Sequence, residues 1–523
     1  MPMWREILTT AVVGTERGKW VPPIASGPVG EHLVELGARA PEEAVLGAAG
    51  LVSLYRTAGF ELRTDEQPLV SVCEPDVLVC CSAEAGQHLE WMLGGTFKDV
   101  LPEWLDAVCK SGQFVPYKYL PRLLERGCGD RSLRTLIAQV IGNRGRWLSL
   151  QNEKWKWASG RNDDAEWETG ALEERLYLLS KLRETAPVRA RSLLESTWKT
   201  EGAKDRLAFL DAFAAGLDSG DEQFLNDALT DRSIDVRRLA VKLLLRLPSS
   251  KLRGRFVDCI SRLISYRKPL LGKARLDVNL PADMDAWHKE NIPEFEPEPQ
   301  IHALKGLGDK GWRLLQLVGA VPVSEWSAKW DRKPDDLIEA AFQSEWKTAV
   351  LGGFIRSAKS NRDNDWIEAI LRQYQLRPDN FEATSGDPYA LASYLPSQRI
   401  EKLIEQALSQ NKQPLEFNHP AFRLLLNHRS CWSSNLSRVV LKRLKRRAGE
   451  KGTNLQVEWQ TKTAIKQFAL YIAPEVSDEV IDGWPVESEN WGQWQAAIDE
   501  FQTAVQFRAD MLRAINKTEK VPL

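Results

Sequence analysis

The chain has 523 residues, enough for about three domains at roughly 150 residues each or for one long repeat array. Lysine plus arginine number 70 against 72 aspartates and glutamates, a net charge of -2 with a pI near 6.4, which excludes the chain-wide basic field of an obligate nucleic-acid binder. Hydrophobic residues make up 43% and glycine and proline stand at 34 and 27, so collagen-like and largely disordered chains are excluded as well.

Met1-Pro-Met-Trp-Arg-Glu6 carries an acid and lacks the apolar run of a secretory signal, and the apolar stretch Val77 to Cys81 is far below the ~18 residues of a membrane span. The seven cysteines (73, 80, 81, 109, 128, 259, 431) are odd in number and thinly spread, which fits reduced thiols rather than a disulfide framework. The expectation is a cytoplasmic protein without a membrane partner.

In the first third, helical spacing of apolar residues predicts helices over 4–13, 75–92, 101–110, 117–126 and 131–141. The last leads into Arg144-Gly-Arg-Trp-Leu148, read as a turn in which Gly142 and Gly145 let Trp147 fold back, largely buried, over the helix end. From Leu172 onward amphipathic segments of ten to fifteen residues alternate with Pro, Gly or Asp-Ser breaks.

The clearest unit runs from Arg206 to Pro248. Leu207, Leu210, Phe213, Ala214 and Leu217 mark one apolar face; Phe224, Leu225, Ala228 and Leu229 a second; Ile234, Val236, Leu239, Ala240, Leu243, Leu244 and Leu247 a third. Ser219-Gly-Asp221 and Asp231-Arg-Ser233 supply turn and cap oxygens, and Pro248 stops the last helix. Similar patterns recur over 174–198, 346–374, 391–408 and 419–448, without a fixed period. Between Asp277 and Pro299 four prolines and seven acids against one lysine predict a linker or extended crossover. The predicted organisation is an N-terminal helical region (1–170), a HEAT-like region (171–276), a Pro/acidic linker (277–305) and a C-terminal helical-repeat region (306–523).

Asp231 to Pro248 resembles the second helix of a HEAT repeat: an acidic turn, Val-Arg opening the helix, an apolar stripe, and Leu-Pro at its end. Together with Val13-Gly-Thr-Glu-Arg17, Glu103-Trp-Leu105, Val115-Pro116, Leu120-Pro-Arg-Leu-Leu124, Arg144 to Leu148 with Asn152 and Trp155, Gly306-Leu-Gly308 with Trp312, and Val321-Pro322, it makes most of the chain resemble a bacterial family of HEAT-like helical-repeat proteins of unassigned activity. The resemblance implies an all-helical cytoplasmic scaffold. It also implies a partner class, because relatives are often encoded beside a MoxR-type AAA ATPase, a von Willebrand A-type protein and a SWIM zinc-finger protein.

The motifs that could carry chemistry are incomplete. Gly306-Leu-Gly-Asp-Lys-Gly311 fits G-x-G-x-x-G, but Pro297 to His302 is a poor strand to precede a dinucleotide turn, so it reads as a helix start. Gly14-Thr-Glu-Arg-Gly-Lys19 is a residue short of a P-loop and is followed by Trp20 rather than a hydroxyl. His419, His428 and Cys431, and Cys73, Cys80 and Cys81, lack the paired spacing that grips zinc. No catalytic residue, metal or cofactor is expected. Of the 20 tryptophans several follow an acid (Trp91, Trp104, Trp167, Trp326, Trp346, Trp366, Trp459) and read as rings sealing helix seams.

Charge is patterned more tellingly. From Asp231 to Arg275 there are 13 basic residues against three aspartates, Arg438 to Arg447 holds six bases and no acid, and Glu475 to Glu500 holds eight acids and no base. A solvated helix face explains such runs, as does a surface for an acidic partner. The candidate interaction residues are Arg237, Arg238, Lys242 and Arg246 on one ridge, Arg144 and Arg146 in the Gly/Arg/Trp segment, and Arg443, Arg446 and Arg447. The expected fold class is all-α, an irregular HEAT/armadillo-like solenoid, and the expected function is a non-catalytic scaffold for a protein partner. The alternative is a HEAT-like nucleic-acid binder using the ridge 232–275.

Overall fold

The computed structural model describes residues 2–17, 19–58, 72–160, 167–168, 170–281, 307–381, 387–450 and 454–517. Most of them are helical, as the three-and-four spacing of apolar residues requires. Among the described residues the sheet content is two short pairings: Val79–Cys80 beside Gln113–Phe114 in parallel, and Ile264–Arg267 with Arg275–Val278 as an antiparallel hairpin. No described helix is long and apolar enough to cross a membrane.

The chain divides into two compact units, Met1–Val72 and Cys73–Leu523. In the first, helices Pro2–Val13, Pro28–Leu36 and Pro41–Ala58 bury Ile7, Leu33, Val45, Ala48 and Val52, with Trp4 and Trp20 packed against them. Two of these helices escaped the periodicity reading: Pro28–Leu36 is only nine residues long, and in Pro41–Ala58 small residues such as Gly47, Ala48 and Ala49 dilute the apolar stripe.

The second unit opens with Ala83–Leu93, Leu101–Lys110, Leu120–Gly129 and Arg134–Val140 around Leu89, Trp104, Leu105, Leu123 and Ile137. The helix expected from residue 75 starts only at Ala83, because Val79–Cys80 pairs as a strand and Ser82 caps the helix by accepting from the Ala85 amide. Arg144 to Leu148 is likewise a helix, Gly142–Leu150, rather than a turn. Gly142 does take a positive φ of 61°, while Gly145 is an ordinary helical residue and Trp147 is half-buried.

The stretch after residue 171 is helical, as its apolar spacing predicts: Ala203–Ala212, Glu222–Ala228 and Ile234–Arg246 pack with Leu172–Thr185 and Pro187–Thr197 around Leu179, Leu194, Phe209, Phe213, Leu225 and Leu244. Of the expected linker, Asp277 and Val278 belong to the hairpin, where Asp277 pairs with both Arg267 and Arg275; residues 282–306 lie outside the described residues. The remaining helices, from Gly308–Ala320 to Leu455–Phe468, build the largest core. The final helix, Trp491–Asn516, joins two cores, giving Trp494, Ile498 and Phe501 to this one and Met511, Ala514 and Ile515 to the core of residues 81–158. Trp104, Trp167, Trp326 and Trp366 are buried in seams as expected, whereas Trp91 and Trp459 are exposed.

Candidate functional site

A cleft of about 1060 Å³ opens between the helices of residues 172–246 and the helices that follow residue 307. One wall carries Glu184, Asp211, the 214–216 turn, Lys242 and Arg246; the other carries Trp312, Gly352, Arg356, Lys359, Arg362 and Tyr394. Five basic side chains thus line it against two carboxylates, Glu184 and Asp211, both exposed.

The first wall is held from behind by a buried ion pair. Arg183 and Asp221 are both fully enclosed, joined by Nη1 and Nη2 at 3.0 and 2.6 Å, and Asp221 also accepts from Arg191 at 2.7 Å. Arg183 donates onward from Nε to the Ala215 carbonyl (3.0 Å) and from Nη2 to that of Gly216 (2.7 Å). That fixes the 214–216 turn, where Gly216 takes a φ of 53° and a Cβ would stand 2.0 Å from the Arg183 carbonyl oxygen. The turn presents the Ala214 carbonyl, which accepts from Arg246 Nη2 at 3.0 Å. Burial, and then the charge of Arg362, hold the Arg246 guanidinium below the usual arginine range.

The second wall depends on close backbone approach. A Cβ at Gly353 would lie 2.5 Å from Val318 Cβ, one at Gly352 2.7 Å from Leu315 Cδ1, and one at Gly319 2.9 Å from Arg356 Cδ. The helices Gly308–Ala320 and Lys347–Asn361 therefore meet glycine to side chain, and the Arg356 stem lies on Gly319. Arg362 ends the second helix in the left-handed region (φ 49°, ψ 42°), with the Asp363 amide donating back to the Ala358 carbonyl at 3.1 Å. Its guanidinium lies 6.0 Å from the Tyr394 ring centre.

The sequence-derived candidates divide between this cleft and structural clasps. Lys242 and Arg246 line the cleft, so Arg246 is not on an open solvent face as the helix periodicity implied. Arg237 donates to the carbonyls of Asp231 and Arg232 and closes the turn before its own helix, while Arg238 pairs with Asp235 at 3.1 Å. Arg447 is buried, within 3.2 Å of Glu416 and with its guanidinium over Trp494; Arg443 donates to the Leu408 carbonyl at 2.7 Å; Arg446 pairs with Glu450 at 2.8 Å. Arg438 pairs with Glu479 and Lys466 with Glu500, so the acidic run offsets neighbouring bases within the fold. Arg144 lies over Tyr117 at 4.5 Å and Arg146 is exposed, both away from the cleft residues.

The weak motifs resolve as local structure. Gly308 opens the Gly308–Ala320 helix with a φ of 59°, Gly306 lying outside the described residues. His419 caps a helix, its Nδ1 accepting from the Ala421 amide at 3.0 Å, and His428 bridges Glu401 and Ser430. No cluster of metal-ligating side chains occurs among the described residues. Arg356, Lys359 and Arg362 were missed by the sequence reading; the signal present was the Gly352-Gly353 pair followed by bases spaced three apart at a helix end.

These features define a predominantly helical protein with a cationic interhelical cleft. Residues 6–515 match the model of DUF5691, a family of unknown function, and the chain belongs to that family. No curated protein and no solved structure matches it.

Proposed function

We propose that this protein is a non-catalytic helical-repeat scaffold that captures an acidic segment of a protein partner in the 242–362 cleft. The observation that carries the reading is the excess of bases there: Lys242, Arg246, Arg356, Lys359 and Arg362 face two exposed carboxylates. Outside the cleft, Arg237 and Arg443 donate to main-chain carbonyls and Arg447 is buried beside Glu416. Helices that pack on their chain neighbours through 172–246 support the HEAT-like description. A MoxR-type ATPase assembly of the kind implied by the resemblance is the first partner to test.

Fluorescence anisotropy with a labelled glutamate-rich peptide tests this. Lys242→Glu with Lys359→Glu should weaken binding about tenfold or more, with affinity falling as salt rises, whereas Arg144→Glu with Arg146→Glu should change little. Equal binding by both double variants would overturn the reading. A second reading, single-stranded nucleic acid, is favoured by Trp312 and Tyr394 in the same wall, since aromatic rings beside cations stack bases. A labelled oligothymidylate in the same assay decides between them.

A further inference from the structure

Arg362 occupies a position at which glycine is the residue of least strain. Its φ of 49° places it left-handed at the C-terminus of Lys347–Asn361, where a side chain costs backbone energy that glycine avoids. The residue there is nonetheless an exposed arginine on the cleft wall. Arg246 comes from the opposite wall, half-buried, with Nη2 held by the Ala214 carbonyl, and Lys359 stands one helical turn before Arg362. Among the described residues no carboxylate pairs with Arg246, Lys359 or Arg362, and the two guanidiniums are near enough for the charge of one to disfavour that of the other. Gathering cations without a counter-ion is unfavourable, and a bound dianion offsets that cost.

From this geometry we infer that Arg246, Lys359 and Arg362 form a phosphoryl subsite, which takes a phosphorylated serine or threonine on the acidic partner segment. The inference rests on the cleft being the working surface. A phosphomonoester concentrates about two charges and three acceptor oxygens in one group, matched to guanidinium forks, whereas a carboxylate brings one charge and two oxygens. Two features favour a peptide over a free polyphosphate. The cleft, at about 1060 Å³, is at the upper end of small-molecule sites. Glu184 and Asp211 at its edge would repel a ligand that is anionic throughout but can accept from the amides or a lysine of a peptide.

The test compares three peptides on the full chain: acidic with serine, the same with phosphoserine, and one with two glutamates replacing the phosphoserine to match its charge. The phosphopeptide should bind the native protein about tenfold more tightly than either control, the increment of charge-assisted bonds to one group. Arg362→Gly should keep or raise the melting temperature, since glycine suits the left-handed position, and should lose that preference. Equal binding of phosphopeptide and charge-matched peptide, or a preference kept by Arg362→Gly, overturns the subsite while leaving the acidic-segment reading standing. Failure of all three peptides to bind overturns both. Pyrophosphate or a nucleoside diphosphate binding more tightly than the phosphopeptide would overturn the choice of a protein ligand.

Discussion

Arg508, in the last helix, is paired through Nε and Nη2 with the two carboxylate oxygens of Glu103 at 2.6 and 2.7 Å, although the residues are 405 positions apart. The guanidinium is fully buried and its Nη1 also donates to the carbonyls of Ala469 and Ile472. Near it Ser82 donates to the Ala514 carbonyl and the Gln113 side chain to that of Ile515. The C-terminal helix is thereby fastened to the start of the second unit. Glu103→Ala strands a buried cation and should destabilise the protein by about 3–5 kcal/mol, read as a lower midpoint in urea. An unchanged midpoint would remove the clasp from the account.

The Arg183–Asp221 pair is more enclosed still and positions the cleft wall through the carbonyls of Ala215 and Gly216. Asp221→Ala leaves two arginines, 183 and 191, without their shared carboxylate, and a loss of about 3–5 kcal/mol is expected. Acidic-peptide affinity should fall in the same variant even well below its melting temperature, because Ala214 no longer holds Arg246 in place. Retained affinity in folded Asp221→Ala would show that the pair serves stability alone.

How much of this was legible beforehand differs by region. The stretch 203–246 could be read because most of its apolar residues recur at helical spacing and Asp231 and Pro248 punctuate it, although Leu245 of Ile234–Arg246 turns to a different core from Leu243 and Leu244. The face of Arg246 could not be read, since the second wall that half-buries it comes from residues 312–362 and periodicity describes a single helix against a single core. The charge runs were visible as composition, but whether a base pairs, caps or faces a cleft depends on partners such as Glu416 for Arg447. The helix Pro41–Ala58 went unread for want of a strong stripe, and Pro28–Leu36 because its nine residues bury only Gly30 and Leu33.

The crossing of Gly308–Ala320 with Lys347–Asn361 should be intolerant of bulk. Gly353→Ala places a Cβ 2.5 Å from Val318 Cβ, where helix propensity alone would favour alanine. Steric cost should win by about 1–3 kcal/mol, seen as a lower melting temperature. Paired with Val318→Ala, which removes the Cγ1 contact at 2.6 Å but keeps the Val318 Cβ at 2.5 Å, most of the loss should remain.

Two buried histidines predict an acid limit to stability. Burial holds both His419 and His428 below the ordinary 6.5, and His419 Nδ1 must stay unprotonated to accept from Ala421. The unfolded chain then binds protons first as pH falls, so their contribution is complete above about pH 6.5 and declines below it. Melting temperature should drop between pH 7.5 and 5.5. His419→Asn, which keeps a capping acceptor, should reduce that drop, and an unaltered slope would assign it to other groups.

Hydrogen–deuterium exchange on the full chain, with and without the acidic peptide, tests the central claim most directly. Binding in the cationic cleft predicts slowed exchange in residues 234–246 and 347–362, with 438–450 unaffected. Protection confined to 438–450, or none with saturating peptide, would contradict it.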